Sequence, residues 1–123
     1  MKEDPLVMSM LFDFYGEVLT EKQRDFFDLY HNRDLSLGEI AENTGITRQG
    51  VRDVIVRATQ VLRSMEDKLG LVGRYKAVQN GLVEIRDAAA AIEEINNRRY
   101  GSGPVREYAQ RIQELASGIA EKT

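Results

Sequence analysis

The spacing of one central stretch, residues 35–61, constrains the fold of this chain more than any other feature, because it matches a helix-turn-helix. A capping box opens a short helix, a small residue lets a second helix cross closely, and a glycine supplies the positive φ that ends the first helix. A second cap then starts the next helix, and a β-branched residue faces back toward the first. In chain order these features are Ser36 with Glu39, Ala41, Gly45, Thr47 and Val51. The usual use of this motif is to lay its second helix in the major groove of DNA.

Apolar periodicity and capping signals along the rest of the chain predict further helices and no strands, and hence an all-α fold. The first predicted helix covers residues 5–19. Its inward stripe is predicted to comprise Leu6, Met10, Phe14 and Val18, with Val7, Leu11 and Tyr15 beside them. A second capping box at Thr20 and Gln23 starts a helix that runs to about residue 32. The motif itself supplies helices over residues 37–43 and 48–69, which completes a four-helix head at residues 1–70.

A different pattern follows the head, where Gly70 and Gly73 predict a break or bend. Residues spaced alternately by four and three then form a heptad seam, whose polar member lies at the far end. They are Leu71, Tyr75, Val78, Leu82, Ile85, Ala89, Ile92 and Asn96. After a linker at residues 98–104, a final helix repeats the seam with Val105, Tyr108, Ile112, Leu115 and Ile119. Residues 71–123 are therefore predicted to form an antiparallel, coiled-coil-like helical hairpin, which is a possible dimerisation element.

The charges are unevenly distributed, although the net charge is only −3. Residues 47–65 carry four arginines and one acidic residue, whereas residues 1–46 are strongly acidic and residues 66–123 are balanced. The basic region coincides with the second helix of the motif, whose polar side chains can donate hydrogen bonds to phosphates and base edges. The predicted nucleic-acid-binding residues are Thr47, Arg48, Gln49, Arg52, Asp53, Arg57 and Arg63. The simpler alternative is a solvated, arginine-rich helix face.

Composition argues against several other classes of protein. With no cysteine and a single histidine, His31, the chain is not expected to hold a disulfide framework or a His-rich metal site. It has no apolar run long enough for a membrane span and no secretory signal, so we expect a cytoplasmic protein without membrane contact. Its carboxylate pairs and its turn at residues 101–104 lack the surroundings of a catalytic dyad or a phosphate-binding loop. We therefore expect no catalysis, no metal and no cofactor.

The sequence resembles the YlxM family, small bacterial proteins whose head is similar to region 4 of sigma factors. The resemblance covers roughly residues 11–71. It is carried by LFDFY (11–15), LTEKQ (19–23), LY (29–30), DLSLGEIAE (34–42) and ITRQGV (46–51), and by Asp53, Ile55 and Arg57. It implies a sigma-region-4-like head followed by further helices. It also implies a role linked to the signal recognition particle, through its RNA or its GTPase subunit.

Three positions depart from the family pattern. Gly50 replaces the usual alanine, a change that costs a helix up to about 1 kcal/mol. Arg52 stands where an aromatic residue is common, and Val56 where a lysine is common, so one phosphate contact is gained and another is lost. The resemblance therefore does not define which nucleotides are contacted.

Three functions remain open at this point. The resemblance implies a regulatory accessory of protein targeting, the motif alone favours a transcriptional regulator that reads duplex DNA, and a protein adaptor is the weaker alternative. Because a helix cannot enter the deep, narrow major groove of A-form RNA, binding to RNA requires phosphate contacts or loops. A homodimer is expected, since the short final helix leaves part of the long seam uncovered, including Leu71 and Tyr75, and since pairing doubles the basic surface.

Overall fold

The computed structural model describes residues 3–123, and within that range the chain is helical and contains no strand. Its α-helices are α1 (Pro5–Tyr15), α2 (Glu21–Phe27), α3 (Leu37–Thr44), α4 (Arg48–Leu69), α5 (Leu71–Ile95) and α6 (Gly103–Lys122). A 3₁₀ turn at Gly16–Val18 follows α1, and π-helical turns at Asp28–Asn32 and Asn96–Tyr100 follow α2 and α5. The all-α prediction is confirmed. The chain divides into two compact units, the first ending at Val72 and the second comprising Gly73–Thr123.

The helices of the motif start and stop where local chemistry requires. Ser36 Oγ accepts a hydrogen bond from the N–H of Glu39 (3.1 Å), and the Glu39 carboxylate accepts one from the N–H of Ser36 (3.1 Å), so α3 opens with a capping box. The bond from the Ser36 N–H lowers the pKa of Glu39, because it favours the charged carboxylate. Gly45 ends α3 with a φ of 73°, a conformation that glycine adopts without strain. Thr47 then accepts from the N–H of Gly50 (3.0 Å) and starts α4.

The core of the first unit has two clusters of buried side chains, and α4 contributes to both. The buried residues of α4 are Val51, Ile55, Ala58 and Leu62. Around them, one cluster contains Met8, Leu11, Tyr15, Leu19, Phe27 and Val72, and the other contains Phe26, Tyr30 and Ile40. Ala41, from α3, and Ile46, from the turn, pack against the second cluster. Because α4 is anchored along one side, its opposite side is held in a fixed orientation.

The inward side of α1 differs from the predicted stripe. Leu6 and Val18 are 68% and 51% exposed, whereas Met8 is fully buried and Leu11 and Tyr15 are nearly so. The helix ends at Tyr15, so Val18 lies on the following turn and not on the helical face. Apolar residues surround most of α1, and a stripe this broad does not determine which side faces the core.

A partly buried hydrogen-bond network fixes the junction of α4 and α5. The Tyr15 hydroxyl donates to Glu66 Oε1 (2.5 Å) and accepts from the N–H of Leu71 (3.0 Å). The same Glu66 oxygen accepts from the N–H of Val72 (3.0 Å). These bonds satisfy two of the free N–H groups at the start of α5. Burial raises the pKa of Tyr15, and its hydrogen bond to the Glu66 carboxylate raises it further.

The break between α4 and α5 is confined to Gly70, which has a φ of 63° and ends α4. α5 begins at Leu71, so the break predicted from Gly70 and Gly73 falls at Gly70, and Gly73 lies within the helix. A glycine inside a helix lowers the stability of that helix but keeps the backbone hydrogen bonds. The sequence alone did not distinguish a glycine that ends a helix from one that lies inside it.

The second unit is a hairpin in which α6 runs antiparallel to α5. Near the turn, Asn96 is 3% exposed, donates to the carbonyl of Ser102 (2.8 Å) and accepts from its N–H (3.0 Å). At the far end, Gln79 donates to the carbonyl of Ala120 (3.3 Å) and to the hydroxyl of Thr123 (2.6 Å). The predicted hairpin is therefore present.

The side chains between α5 and α6 match the predicted seams only in part: Ala89 and Asn96 of the α5 seam are buried, whereas the five residues of the predicted α6 seam are exposed. Ala89 on α5 and Ala109 and Ala116 on α6 are the buried apolar residues of this unit. The larger residues predicted for the seams are mostly exposed, among them Val78, Ile85, Ile92, Val105, Tyr108, Ile112, Leu115 and Ile119. On α6, the row of alanines and the row of larger apolar residues have the same spacing, so periodicity did not reveal which of them faces α5.

Candidate nucleic-acid interface

α4 exposes a polar side opposite the residues that it buries. The buried positions recur at spacings of four and three, and Val54 and Val61 beside them also pack against the core, so the polar positions between them face solvent. The exposed residues of α4 and its cap include Thr47, Arg48, Gln49, Arg52, Asp53, Arg57 and Arg63, the residues predicted to bind nucleic acid. In a helix-turn-helix, the second helix presents this outer side to a groove.

Three arginines on this side are available for binding. Arg48, Arg52 and Arg57 are exposed, and no carboxylate among residues 3–123 lies within ion-pair distance of them. A guanidinium group offers five N–H donors in a fixed plane, which suits phosphate oxygens and the edges of bases. The outer side of α4 therefore carries uncompensated positive charge.

Arg48 is directed toward the first turn of α3. A Cβ built on Gly38 would lie 3.0 Å from Arg48 Nε and 3.1 Å from Nη2, so the guanidinium occupies the space beside this glycine. The guanidinium thus lies beside the first turn of α3, where the Glu39 carboxylate already accepts a hydrogen bond from the Ser36 N–H. Sequence reasoning missed Gly38, although a glycine in the first turn of a helix is a signal of close approach.

A groove along α4 is lined by Arg52, Thr59 and Arg63, and also by His31. Glu3 lines the same groove and forms an ion pair with Arg63. One predicted binding residue is therefore partly neutralised, in contrast to Arg52. Sequence reasoning did not predict Glu3 or His31 at this site, since 60 residues separate Glu3 from Arg63 and no local spacing signals their pairing.

Gln49 and Asp53 interact with each other on the outer side of α4. Gln49 Nε2 donates to Asp53 Oδ1 (2.9 Å), one helical turn away. The bond fixes the orientation of the Gln49 amide, which presents its oxygen as an acceptor. Arg57 lies farther along the helix and lines neither the groove of Arg52 nor the space beside Gly38.

The tight packing at the start of α4 explains why residue 50 is a glycine. A Cβ built on Gly50 would lie 2.7 Å from Ile46 Cγ2 and 3.2 Å from Thr47 Oγ1. The Ile46 methyl is attached directly to a branched β-carbon, so it has little freedom to move away. The glycine at this position is therefore matched to the neighbouring isoleucine.

The described part of the chain shows neither a metal-binding cluster nor a membrane-spanning helix. Among residues 3–123, no group of three or more His, Asp or Glu side chains is arranged to hold a metal ion. No helix in the same range is long and apolar enough to cross a membrane.

Comparison with known proteins identifies the family. A family model of the group UPF0122, described as "Putative helix-turn-helix protein, YlxM / p13 like", matches residues 2–99. The chain belongs to this family. A UPF0122 protein of Thermoanaerobacter sp. strain X514 is 43% identical over 115 residues, which cover 94% of this chain and 98% of the relative. A UPF0122 protein of Acetivibrio thermocellus is 51% identical over 77 residues, 63% of this chain and 66% of the relative.

The UPF0122 model covers α1 to α5, and α6 lies beyond its last matched residue. The Thermoanaerobacter alignment is too long to stop there, so it extends into α6. A third relative, from Shouchella clausii, is 42% identical over 100 residues, 79% of this chain and 92% of the relative. The hairpin is therefore not peculiar to this UPF0122 chain.

Proposed function

We propose that this UPF0122 protein binds nucleic acid through the outer side of α4 and acts as a cytoplasmic, non-enzymatic accessory of the signal recognition particle pathway. One observation carries the binding proposal: Arg48, Arg52 and Arg57 are exposed on the second helix of a helix-turn-helix, with no carboxylate partner among residues 3–123. The proposed contacts are those predicted from the sequence, namely Thr47, Arg48, Gln49, Arg52, Asp53, Arg57 and Arg63. Ser36, Ala41, Gly45 and Val51 hold the motif in shape.

The proposal gives the arginines different roles. Arg48, beside the first turn of α3, binds a phosphate, because its guanidinium is exposed and has no carboxylate partner among residues 3–123. Arg52, one turn along the outer side, and Gln49 reach base edges, to which guanidinium and amide groups form paired hydrogen bonds. The acidic residues elsewhere in the first unit repel phosphates, so the ligand approaches α4.

The link to protein targeting rests on the resemblance to the YlxM family, and the ligand proposed from it is the RNA of the signal recognition particle. Because the major groove of A-form RNA excludes a helix, α4 contacts this RNA through phosphates or through an unpaired loop. The GTPase subunit of the particle is the proposed protein partner of the same pathway.

A transcriptional regulator that reads duplex DNA is the second candidate. The feature that favours it is the combination of a fully anchored inner side of α4 with a polar outer side. A helix of this kind fits the major groove of B-DNA, which is about 12 Å wide. In that case Arg52 and Gln49 contribute sequence selectivity, whereas RNA binding depends mainly on the phosphate contacts.

A homodimer is part of the proposal. Three unpaired arginines in an acidic protein provide few phosphate contacts, and affinity rises steeply with the number of phosphates neutralised. Two copies double that number and place two motifs on one ligand.

Fluorescence anisotropy with two labelled probes tests the proposal: the particle RNA and a DNA duplex of similar length. Replacing both Arg48 and Arg52 by alanine should weaken binding at least about tenfold at low salt, with an unchanged circular dichroism spectrum. The matched control replaces Arg86 and Arg111, two exposed arginines of the hairpin, and should leave binding nearly unchanged. Equal losses in the two double variants contradict the assignment to α4.

A pull-down from lysate, with and without nuclease, separates the candidates. Sequencing of the retained nucleic acid should recover the particle RNA. Retention of specific DNA supports the second candidate. Retention of the GTPase alone, after nuclease and without binding of either probe, shows a protein adaptor and contradicts the nucleic-acid proposal.

A further inference from the structure

The second unit fully buries no large side chain, and only Tyr75 and Leu82 among its large apolar residues are partly buried. Within Gly73–Thr123, the buried residues are Ala89, Asn96, Ala109 and Ala116. Hydrophobic stabilisation grows with the apolar area removed from water, and an alanine side chain contributes a single methyl group. A hairpin of this size therefore lacks a sufficient core of its own.

Most of the large apolar residues of the hairpin are exposed instead. Nine of them, each between 38% and 70% exposed, form what we term the apolar face: Val78, Ile85, Ile92 and Ile95 on α5, and Val105, Tyr108, Ile112, Leu115 and Ile119 on α6. Gly81 and Ala88 occupy the intervening heptad positions on α5, so no charged residue interrupts either row. Spacings of three and four are typical of a row that packs against another helix.

Both rows lie on the same side of the hairpin. On a helical wheel at about 100° per residue, the apolar row of each helix lies roughly a quarter turn away from the residues that face the other helix. Viewed from the N-terminus of its own helix, each row is rotated in the same sense. Because α5 and α6 run antiparallel, equal rotations of this kind bring both rows to one side. The groove shared by Ile92, Ile95 and Val105 joins the two rows near the turn.

We propose that the apolar face packs against the same face of a second copy of this chain, forming a four-helix bundle. This inference rests on the homodimer of the proposed function and identifies its surface. Two paired rows of apolar residues are what half of such a bundle presents, and a two-fold axis matches the face to itself.

The size of the face suits a stable dimer. Side chains of this kind, exposed to the extent observed, together present on the order of 700 Å² of apolar surface, close to the roughly 800 Å² that each partner contributes to a standard interface. Isolated monomers rarely expose apolar patches larger than about 600 Å². Because the hairpin buries little apolar surface without this cover, it requires a partner that is always available, which favours another copy of this chain over a transient ligand.

Light scattering coupled to size-exclusion chromatography of the full chain at micromolar concentration, without nucleic acid, tests the inference. The wild type should be a dimer, and Ile85→Asp should weaken association at least about tenfold. Val83→Asp is the matched control, because Val83 lies on the other side of α5 and is 44% exposed, compared with 51% for Ile85. A monomeric wild type, or equal effects of the two substitutions, overturns the inference.

If Ile85→Asp impairs folding, crosslinking of cysteine variants provides a second test of the dimer. The chain has no native cysteine, and Ala88 and Ala90 are both exposed alanines of α5, the first beside the apolar face and the second opposite it. A short bis-maleimide should link two copies through Ala88→Cys and not through Ala90→Cys. Absence of any Ala88→Cys dimer overturns the inference. Since no nucleic acid is present, this failure leaves the Arg48 and Arg52 test independent.

Discussion

Replacement of Gly50 by alanine sets two effects of opposite sign against each other. In an ordinary helix position, alanine is more favourable than glycine by about 1 kcal/mol. Here the new Cβ would lie 2.7 Å from Ile46 Cγ2, far inside the carbon–carbon optimum of about 3.5–4.0 Å. Overpacking of this kind costs about 1–3 kcal/mol. We therefore expect Gly50→Ala to lower the free energy of unfolding by about 1 kcal/mol, despite its better helix propensity.

Urea denaturation followed by circular dichroism measures the change as a shift in midpoint at constant slope. Gly118→Ala is the control, because Gly118 is in α6 with open space around its Cβ position, and it should stabilise by about 0.4–1 kcal/mol. In an Ile46→Ala background the clash is removed, so Gly50→Ala should become neutral or stabilising, with a coupling of about 1 kcal/mol or more. Stabilisation by Gly50→Ala in the wild-type background would refute the close contact with Ile46.

Other predictions concern the turn, the helix junction and the ion pair. Gly45→Val should lower the free energy of unfolding by about 1–3 kcal/mol, because a β-branched residue is strained at positive φ. Gly45→Asn should lower it less. Equal melting temperatures of Gly45→Val and the wild type contradict this prediction. Tyr15→Phe should destabilise at neutral pH through loss of the bond to Glu66. Since the pKa of Tyr15 is raised, this stabilisation is complete below about pH 10 and is lost as the pH rises through the folded-state pKa, so melts of wild type and variant should converge there. Glu3→Gln should tighten nucleic-acid binding roughly two- to fivefold by releasing Arg63, and should have no effect in an Arg63→Ala background.

Local chemistry explains which parts of the fold could be predicted from the sequence. The capping box at Thr20 and Gln23 is present, and α4 spans the predicted residues 48–69, since caps and glycines act within one turn of the helix end. Gly70 ends α4 with a positive φ. Gly73 does not end a helix, because Tyr15 and Glu66 accept from the N–H groups at the start of α5 and the helix continues through Gly73.

Which side of α6 faces α5 could not be predicted from the sequence. Periodicity placed Ile112 and Ile119 between the helices, but the close approach of α5 and α6 is made by Ala109 and Ala116. Choosing between adjacent rows requires knowledge of what covers the larger residues, and a single sequence does not contain it.

At the candidate interface, sequence reasoning located the arginine-bearing side of α4 but not its neighbours. Arg48 beside Gly38, and Arg63 paired with Glu3, depend on the packing of separate helices and segments. These contacts distinguish arginines that appear equivalent on a helical wheel.

The salt dependence of nucleic-acid binding tests the central proposal most directly. Each phosphate contact contributes about 0.7–0.9 to the slope of log affinity against log salt concentration, so Arg48→Ala should reduce the slope measured for the bound probe by nearly one. Arg111→Ala, which removes the same charge from the hairpin, should leave the slope unchanged. A slope that is unaffected by Arg48→Ala, or reduced equally by Arg111→Ala, contradicts binding through the outer side of α4.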